Sequence, residues 1–365
     1  MPPLLRGGFG AQTFDGPGRW RLSRLPHQWR VCGYGAALVK APHWLTHLEH
    51  EWHSPIWRPW IEGLSRSHQL IRMDQRCCGL SDWGVDEVLF EALIHDLEAV
   101  VDAAGLDCFA LVGHSQGGTI AMEYAVRHPE RVSHLVLLGA FARGALRRNT
   151  SARAVEEQEA LLKLVEVGWG RNDDSYRQLF SGQFLPGGSI EQIQSFSELQ
   201  RLSASAENAV RIMRAWQSID ISDSAQRVQC PTLIMHARND RRIPFEEARR
   251  LAASIPGARL VPLESENHIL LEREPAFAQF FEEMRAFVGA GERATIRTAL
   301  PSLTARETAV LDRIAEGLDN AQIAAHLTLS EKTVRNYVTQ IFDKLGVENR
   351  SQTIVLARKN GYGSR

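Results

Sequence analysis

Short apolar runs alternate with longer amphipathic stretches over residues 36–288, and this alternation constrains the fold more than any other feature. The runs read AALV, QLIRM, CFALVG, HLVLLG, PTLIMH and ARLVPL, at residues 36–39, 69–73, 108–113, 134–139, 231–236 and 258–263. Helical periodicity fills the intervals near 86–104, 117–128, 244–254 and 273–288. This spacing predicts an α/β fold class, with a mostly parallel sheet covered by helices on both faces.

One interval, residues 143–224, breaks the alternation. It has helical patterns without a strand-like run, and its aromatic residues are Trp169, Tyr176, Phe180, Phe184, Phe196 and Trp216. We interpret it as a helical cap over the sheet, although ordinary packing helices would give the same pattern. The aromatic side chains fit either a pocket for an apolar ligand or a hydrophobic core.

The segment GAGERATIRTALP, at residues 289–301, contains small and polar residues and has no periodicity. It predicts a linker over residues 289–300. The chain then divides into a larger domain over 1–288 and a smaller one over 301–365, and 365 residues suffice for both.

Charge and cysteine usage exclude several classes of protein. The formal net charge is −1, and residues 301–365 hold nine Lys and Arg against seven Asp and Glu, so any DNA contact must come from a local patch. The five cysteines are odd in number and lack metal-ligand spacing, which favours a reduced, cytoplasmic compartment and predicts no metal and no cofactor. Because no signal peptide and no run of about 18 apolar residues is found, we expect no membrane partner.

Residues Gly113–Gly117 read GHSQG and match the pattern Gly-x-Ser-x-Gly. An apolar run precedes the pattern, and a helical stretch that ends near His128 follows it. A sharp turn from strand to helix needs small residues beside the serine, lifts its Oγ above the sheet and places it at a helix N-terminus. Ser115 is therefore the candidate nucleophile of a hydrolase-type site.

A nucleophilic serine needs a base, and the base needs an acid that orients it. Asp240 follows the run PTLIMH, and His268 follows the run ARLVPL, so both lie at the edge of the sheet that carries Ser115. The order Ser, Asp, His along the chain is the order found in proteins with a nucleophile turn of this kind. Two alternatives remain at this point: Asp240 caps the helix that follows Pro244, or His268 is a surface loop residue.

Acyl transfer also needs two backbone N–H groups that bind the developing oxyanion. Gln116, directly after the nucleophile, supplies one of them. The loop after the first run reads KAPHW, and Pro42 in that loop has no N–H. The second donor is then Ala41 or His43, or the oxyanion hole is incomplete.

The blocks VKAPHWLTHLEHEWHSPIWRPW, IRMDQRCCGLSDW, GHSQGG, HPERVSHLVLLGAFARG, PTLIMHARND and VPLESENHILLE together resemble the α/β-hydrolase fold over residues 36–288. The resemblance is to the bacterial subgroup often fused to regulatory or nucleotide-cyclase domains. Two departures stand out. Cys77 replaces a glycine of the family's Arg-Gly-x-Gly, which we expect near the rim of the pocket, and the first 35 or so residues do not resemble the family's opening strands.

Three helix starts are encoded in residues 301–365. Thr304 with Glu307 forms the pattern of a capping box, residues 319–322 are suited to a second helix start, and Ser330 is a good N-cap for a third helix. The third helix has an apolar stripe, made of Val334, Val338, Ile341, Phe342 and Leu345. Its other faces carry hydrogen-bonding side chains.

A short helix, a turn and a helix with a polar free face predict a helix-turn-helix, although any amphipathic helical hairpin gives a similar pattern. The candidate DNA-binding residues are Lys332, Thr333, Arg335, Asn336, Thr339 and Lys344. Arg and Asn prefer guanine and adenine, whereas Lys344 and Arg350 are suited to phosphates.

From LTARETAVLDRIAEGLDNAQ to RSQTIVLA, the segment resembles the LuxR-type helix-turn-helix block by block. The resemblance implies binding to double-stranded DNA as a homodimer, with the final helix, about residues 351–359, as the contact between subunits. Tyr337 stands where a histidine is common in that family, and we expect little effect from this difference.

Two functions of different classes follow. In the first, the chain is a DNA-binding transcription regulator whose hydrolase-like domain senses a small-molecule ligand. In the second, it is an active serine hydrolase or esterase that uses Ser115, His268 and Asp240, with the DNA-binding module as an accessory. A hybrid, in which slow hydrolysis of the ligand ends the signal, is also open.

Overall fold

The computed structural model describes residues 12–14, 20–22, 28–33, 35–86, 88–169, 171, 175–299, 303–345, 347, 349–359 and 362–363. Two compact units divide the chain, Met1–Arg285 and Ala286–Arg365. We describe each unit by itself.

The first unit is built on a sheet with nine described strands: β1 Gln12–Phe14, β2 Trp20–Leu22, β3 Trp29–Cys32, β4 Ala37–Lys40, β5 Gln69–Met73, β6 Phe109–His114, β7 Val132–Leu138, β8 Thr232–Ala237 and β9 Arg259–Leu263. Their order in the sheet is β2-β1-β3-β5-β4-β6-β7-β8-β9. From β5 to β9 in this order every pairing is parallel. The six predicted strands are confirmed, with ends that differ by no more than two residues.

Three strands lie within the first 35 residues, whose sequence does not resemble the opening strands of the α/β-hydrolase family. Strand β3 pairs antiparallel with β5, with Val31 opposite Ile71, and β1 pairs parallel with β3. Strand β2 closes this edge antiparallel to β1. The sheet is therefore mixed at one edge and parallel through its centre, where every residue of β6 and β8 is buried.

Helices α1 His50–His53, α2 Trp57–Ser65, α3 Phe90–Ala103 and α4 Gln116–Arg127 accompany the first strands, and the later helices of the sheet are α11 Phe245–Ser254 and α12 Pro275–Ala299. Helix α12 extends beyond the predicted end at residue 288. The prediction of an irregular linker over 289–300 is therefore wrong for residues 289–299. Ala, Arg, Glu and Thr support or tolerate a helix, and single glycines inside one cost only about 1 kcal/mol each.

The interval predicted as a helical cap contains α5 Ala145–Arg148, α6 Ala152–Gly168, α7 Ser175–Ser181, α8 Ile190–Ser203, α9 Ala206–Gln217 and α10 Ser222–Ala225. An isolated bridge between Arg143 and Asp220 joins the two ends of the interval. Trp169, Phe180, Phe184 and Phe196 pack ring against ring, with successive centroids 6.2, 5.3 and 5.5 Å apart. Most of the aromatic side chains in this interval thus form a core.

The second unit contains α13 Ala305–Ala315, α14 Asn320–Leu327, α15 Glu331–Leu345 and α16 Arg350–Lys359. Both predicted capping boxes form, at Thr304 with Glu307 and at Asp319 with Gln322. The Oγ of Ser330 accepts a hydrogen bond from the N–H of Thr333 at 3.1 Å, as expected of an N-cap. Val334, Val338 and Ile341 are buried against α13 and α14, and Phe342 and Leu345 pack beside them, so the predicted apolar stripe is confirmed.

Candidate active site and nucleic-acid interface

Ser115 lies between β6 and α4 with φ 55° and ψ −126°, a backbone conformation that is rare for a residue with a side chain. Its N–H donates to the carbonyl of Leu138 on the neighbouring strand at 2.9 Å, and its carbonyl accepts from the N–H of Gly118 at 2.9 Å. These two bonds hold the strained residue in place. The predicted sharp turn at the end of the strand is therefore present.

The glycines around Ser115 allow close packing of the turn. A Cβ on Gly113 would lie 2.4 Å from the Cα of Gly118, and a Cβ on Gly118 would lie 2.3 Å from the Cβ of Ala140. A Cβ on Gly117 would lie 2.8 Å from the carbonyl oxygen of Pro42. Any larger residue at these positions would push the strand, the helix or the KAPHW loop away from the serine.

His268 and Asp240 form a buried pair. The Nδ1 of His268 lies 2.6 Å from the Oδ2 of Asp240, and the Oδ1 of Asp240 accepts from the N–H groups of Arg242 and Ile243 at 2.8 and 2.9 Å. Burial alone would raise the pKa of Asp240, but the charge and hydrogen bond of His268 outweigh it and hold that pKa below its usual value. His268 is 2% exposed, so the alternative of a surface loop residue is excluded.

The other ring nitrogen of His268, Nε2, makes no hydrogen bond within the described part of the chain. His268 and Ser115 line the same small gap of about 10 Å³, together with Phe184 and Ile269. The structure thus brings the three predicted residues to one place. The Nε2 of His268 is not engaged by any other group of the described residues, so it is available to act as a general base.

Three residues that support this pair were not predicted as site residues. A Cβ on Gly139 would approach the ring of His268 to 3.0 Å, so a glycine there makes room for the imidazole. The ring of His114 stacks on that of His268 with centroids 5.1 Å apart, and its Nε2 donates to the His268 carbonyl at 3.1 Å. The Nε2 of His236 donates to the carbonyl of Ile243 at 2.9 Å and fixes the turn that carries Asp240.

The oxyanion side of the site differs from the prediction. The N–H of Ala41 donates to the carbonyl of Val112 at 2.9 Å, which continues the pairing of β4 with β6. Ala41 as an oxyanion donor is therefore wrong, because its N–H is already used within the sheet. Gln116 stands in the first turn of α4, where backbone N–H groups have no partner inside the helix. His43 is the remaining donor that the sequence allowed.

A network of buried charges lies behind the KAPHW loop. Arg72 donates to Glu51 at 2.8 Å, and the Nε2 of His43 lies 3.2 Å from the same carboxylate. Burial lowers the pKa of Lys40 to about 8, even though Glu51 opposes this shift. Burial, with the charge of Glu51, raises the pKa of Asp74 to about 7. This side of the site contains charges that are costly to bury.

Cys77 adopts φ 66°, the left-handed region that favours the glycine it replaces. It is fully buried, and its N–H donates to the carbonyl of Asp82 at 2.8 Å. The cavities that contain Ser115 are lined by other residues, so the expectation that Cys77 lies at the rim of the pocket is wrong.

A cavity of about 270 Å³ opens beside Ser115 and Gln116. Its apolar lining comes from the loops at the end of the sheet and from the helical interval, and includes Trp44, Phe141, Leu161, Phe184, Met213 and Trp216. Two of the aromatic residues that the sequence left ambiguous, Phe184 and Trp216, thus face the cavity. Such a mixture of apolar walls and a few polar groups is typical of a small-molecule site.

The polar face of α15 is available for contact. Lys332, Arg335, Asn336 and Thr339 are exposed, whereas Thr333 is half-buried with its hydroxyl 2.8 Å from that of Ser330. Arg335 and Asn336 make no side-chain hydrogen bond within the described residues, so their donors are free to reach base edges.

Lys344 and Arg350 are engaged inside the unit. The Nζ of Lys344 donates to Glu307 at 2.9 Å, and the guanidinium of Arg350 donates to Asn320 at 3.0 Å and to the carbonyl of Leu318. Arg350 thereby fixes the start of α16 to α14. The role of Lys344 at a DNA phosphate stays a prediction that requires its bond to Glu307 to open.

Within the described ranges, no helix is long and apolar enough to cross a membrane. In the same part of the chain, no three His, Cys, Asp or Glu side chains come together as metal ligands would.

Comparison with known proteins agrees with this geometry. Residues 45–184 match the family of the α/β hydrolase fold, and residues 301–357 match the bacterial regulatory proteins of the luxR family. A putative carbamate hydrolase RutD from Pseudomonas savastanoi pv. phaseolicola is 25% identical over 226 residues, which cover 59% of this chain and 82% of that protein. The AB hydrolase superfamily protein YisY from Bacillus subtilis is 29% identical over 207 residues, 56% of this chain and 75% of the relative.

Solved structures share the fold of the first unit. An esterase from Exiguobacterium antarcticum superposes with a TM-score of 0.60 at 24% identity and covers 72% of this chain and 95% of its own. A hydrolase from Pseudomonas aeruginosa PA01 gives 0.59 at 22% identity, with 72% and 93% covered. At such identities the likeness shows the fold and not the reaction.

Proposed function

Because this chain joins an α/β-hydrolase-fold domain to a DNA-binding domain of the luxR family, we propose that it is a transcription regulator that senses a small organic ligand. The observation that carries the proposal is the cavity beside Ser115. It is formed under the helical interval, has apolar walls and lies next to a nucleophile that cannot use the N–H of Ala41 as an oxyanion donor. Such a cavity is better suited to hold a ligand than to stabilise an acyl-transfer transition state.

The DNA half of the proposal rests on α15. Its exposed Lys332, Arg335, Asn336 and Thr339 would enter the major groove, while Thr333 and Lys344 lie at the margins of the contact. A homodimer would place two such helices on two-fold related half-sites, with α16 as the contact between subunits. We propose a cytoplasmic location as well, because a regulator must share a compartment with the DNA that it binds.

Ligand and DNA would influence each other through linkage. If the ligand binds more tightly to the DNA-binding state, DNA raises the affinity for the ligand by the same factor. The sensor therefore needs only a difference in affinity between two states and no turnover.

An active serine hydrolase is the second candidate, and one observation favours it. His268 is oriented by Asp240 at 2.6 Å, and its Nε2 has no partner among the described residues, which is the arrangement that a general base needs. In this function Ser115 attacks an acyl carbonyl, with Gln116 and a further N–H such as that of His43 binding the oxyanion. The hybrid function keeps both roles, with slow hydrolysis that removes the signal.

The variant Arg335→Ala tests the DNA half. Loss of a bidentate contact to a base should reduce the preference for the protein's own promoter over scrambled DNA by about 1–3 kcal/mol. Fluorescence anisotropy of the full-length protein on both DNAs measures this preference. Arg306→Ala is the matched control, because it removes the same charge from an exposed position on α13 and should leave the preference intact.

If Arg335→Ala weakened binding to both DNAs equally, Arg335 would contact a phosphate and not a base. A wild-type protein that binds both DNAs alike would contradict the proposed regulator.

A further inference from the structure

Four charged side chains line the cavity beside Ser115: Arg148, Glu157, Arg241 and Arg242. Arg241 is paired with Glu266 at 2.6 Å, and Glu157 is paired with Arg153 at 3.0 Å. Arg148 and Arg242 form no ion pair with any carboxylate of the described residues. Among the described residues, these two positive charges therefore have no ion-pair partner.

Arg242 is held by aromatic rings instead of by an acid. Its guanidinium lies 5.3 Å from the ring centre of Phe184 and 5.6 Å from that of Phe180. Burial, together with the charge of Arg148, lowers the pKa of Arg242 to about 10, so the side chain is still protonated at neutral pH. The nearby carboxylate of Asp240 opposes this shift, but it accepts its hydrogen bonds from the ring of His268 and from the backbone N–H groups of Arg242 and Ile243, not from the Arg242 guanidinium.

Arg148 has a similar environment. It lies over the ring of Phe141 at 5.4 Å and donates one hydrogen bond, to the carbonyl of Arg143 at 2.8 Å. Glu247, the carboxylate in this region, is paired with Arg143. Burial lowers the pKa of Arg148 as well, although the charges of Glu247 and Asp240 oppose this shift.

Two residues of the cavity lining, Gln116 and Trp216, each have a buried N–H donor without an acceptor in the described part of the chain. These donors are the Nε2 of Gln116 and the Nε1 of Trp216. Unsatisfied buried donors are costly, and native proteins seldom keep them without a ligand or water. The polar groups left unpaired in this cavity are thus mainly donors, and two of them carry charge.

We propose that this cavity binds a small organic carboxylate, with its anionic group between Arg242 and Arg148 and its apolar body against Leu161, Met213 and Trp216. A guanidinium matches a carboxylate with two parallel hydrogen bonds, which gives both orientation and affinity. The volume of about 270 Å³ limits the apolar part to one ring or a short chain. The inference rests on the proposed function, since it names the class of ligand that the sensor domain recognises.

Isothermal titration of the full-length protein with 4-phenylbutyrate and with its neutral amide tests this inference. The carboxylate should bind at least about tenfold more tightly than the amide, because only the anion pairs with both arginines. Arg242→Gln and Arg148→Gln should each weaken carboxylate binding about tenfold or more and leave the affinity for the amide nearly unchanged. Arg238→Gln is the matched control, because that arginine lies outside the cavity lining and is paired with Glu264 at 2.5 Å, and its affinity should stay within about twofold.

Equal affinity for the acid and the amide would overturn the inference. Unchanged affinity of Arg242→Gln and Arg148→Gln for the acid would also overturn it, provided that thermal unfolding shows both variants to be folded. A wild-type protein that binds neither compound overturns it as well. The proposed function fails separately. If 4-phenylbutyrate binds through the arginines but changes neither DNA affinity nor expression, the ligand class stands and the sensor role is rejected.

Discussion

The two sides of the Ser115 site use buried aspartates in opposite ways. On the acid–base side, Asp240 is satisfied by His268 and two backbone N–H groups, and its pKa is lowered. On the oxyanion side, Asp74 lies behind the KAPHW loop, burial dominates its environment, and its pKa is raised to about 7. The same loop lacks an N–H at Pro42 and uses that of Ala41 within the sheet.

The contacts that orient His268 are therefore distinct from those that would stabilise an oxyanion during catalysis. The acid–base side retains the pairing of His268 with Asp240 that a serine hydrolase needs, whereas on the oxyanion side Pro42 has no N–H and the N–H of Ala41 is used within the sheet. Ligand binding requires only the cavity and its charges. A hydrolase-type site can therefore act as the ligand-binding site of a regulator.

The largest expected effect is on the turn that both sides share. Gly113→Val places side-chain atoms where even a Cβ lies 2.4 Å from the Cα of Gly118, and we expect a loss of about 3 kcal/mol in the free energy of unfolding. Urea unfolding followed by tryptophan fluorescence reports on this domain, because all nine tryptophans precede residue 217.

Gly84→Ala is the control for that measurement, since a Cβ there meets nothing within 4 Å. If Gly113→Val were as stable as the wild type, the turn would be able to relax around the larger side chain. The close approach of Gly113 to Gly118 would then not be needed for stability.

Replacement of each aspartate by asparagine tests the difference in pKa. The folded-state pKa of Asp74 lies above its unfolded value near 4, so its stabilising contribution is complete below pH ~4 and is lost as pH rises through about 7. Asp74→Asn should therefore gain stability relative to wild type by about 2 kcal/mol between pH 5 and pH 8. Urea unfolding at both pH values measures the change.

Asp240→Asn is the matched comparison. The folded-state pKa of Asp240 is lowered, so its contribution is complete above pH ~4 and is lost only below that pH. This variant should be less stable than wild type because His268 loses its charged acceptor, and the titration of Asp240 itself should add no change between pH 5 and pH 8. Parallel pH profiles for the two variants would refute the difference between the two sides.

A smaller effect is expected from restoring a donor. Pro42→Gly adds an N–H to the loop that lies against Gly117. If that N–H reaches the oxyanion, hydrolysis of p-nitrophenyl acetate should rise about tenfold, a modest share of what one such donor contributes in an efficient hydrolase. Initial rates at saturating ester measure the gain, and Pro42→Gly combined with Ser115→Ala should remove it. Rates equal to wild type in a folded Pro42→Gly protein would show that another feature limits turnover.

Much of this arrangement follows from local sequence signals. Apolar runs flanked by helical periodicity place Ser115, Asp240 and His268 at one edge of the sheet, because parallel strands all end there. The capping residues Thr304 and Ser330 mark helix starts that form as expected.

Other features depend on contacts between distant segments. The bond from Ala41 to Val112 depends on the register of β4 with β6, which the sequence of the loop does not contain. Arg242 is only two residues from Asp240 in the sequence. That its guanidinium forms no ion pair and lines the cavity depends on the three-dimensional structure. The pairing of Lys344 with Glu307 likewise joins residues 37 positions apart.

We propose that ligand binding at the Ser115 site changes DNA binding without hydrolysis of the ligand. The variant Ser115→Ala tests this most directly. Expression from the promoter upstream of the protein's own gene is measured for wild type, Ser115→Ala and Arg335→Ala, alongside ester hydrolysis by the purified proteins. We predict that Ser115→Ala loses any hydrolysis and keeps regulated expression at the wild-type level. A folded Ser115→Ala protein whose expression falls to that of Arg335→Ala would contradict the account and establish catalysis as the signal.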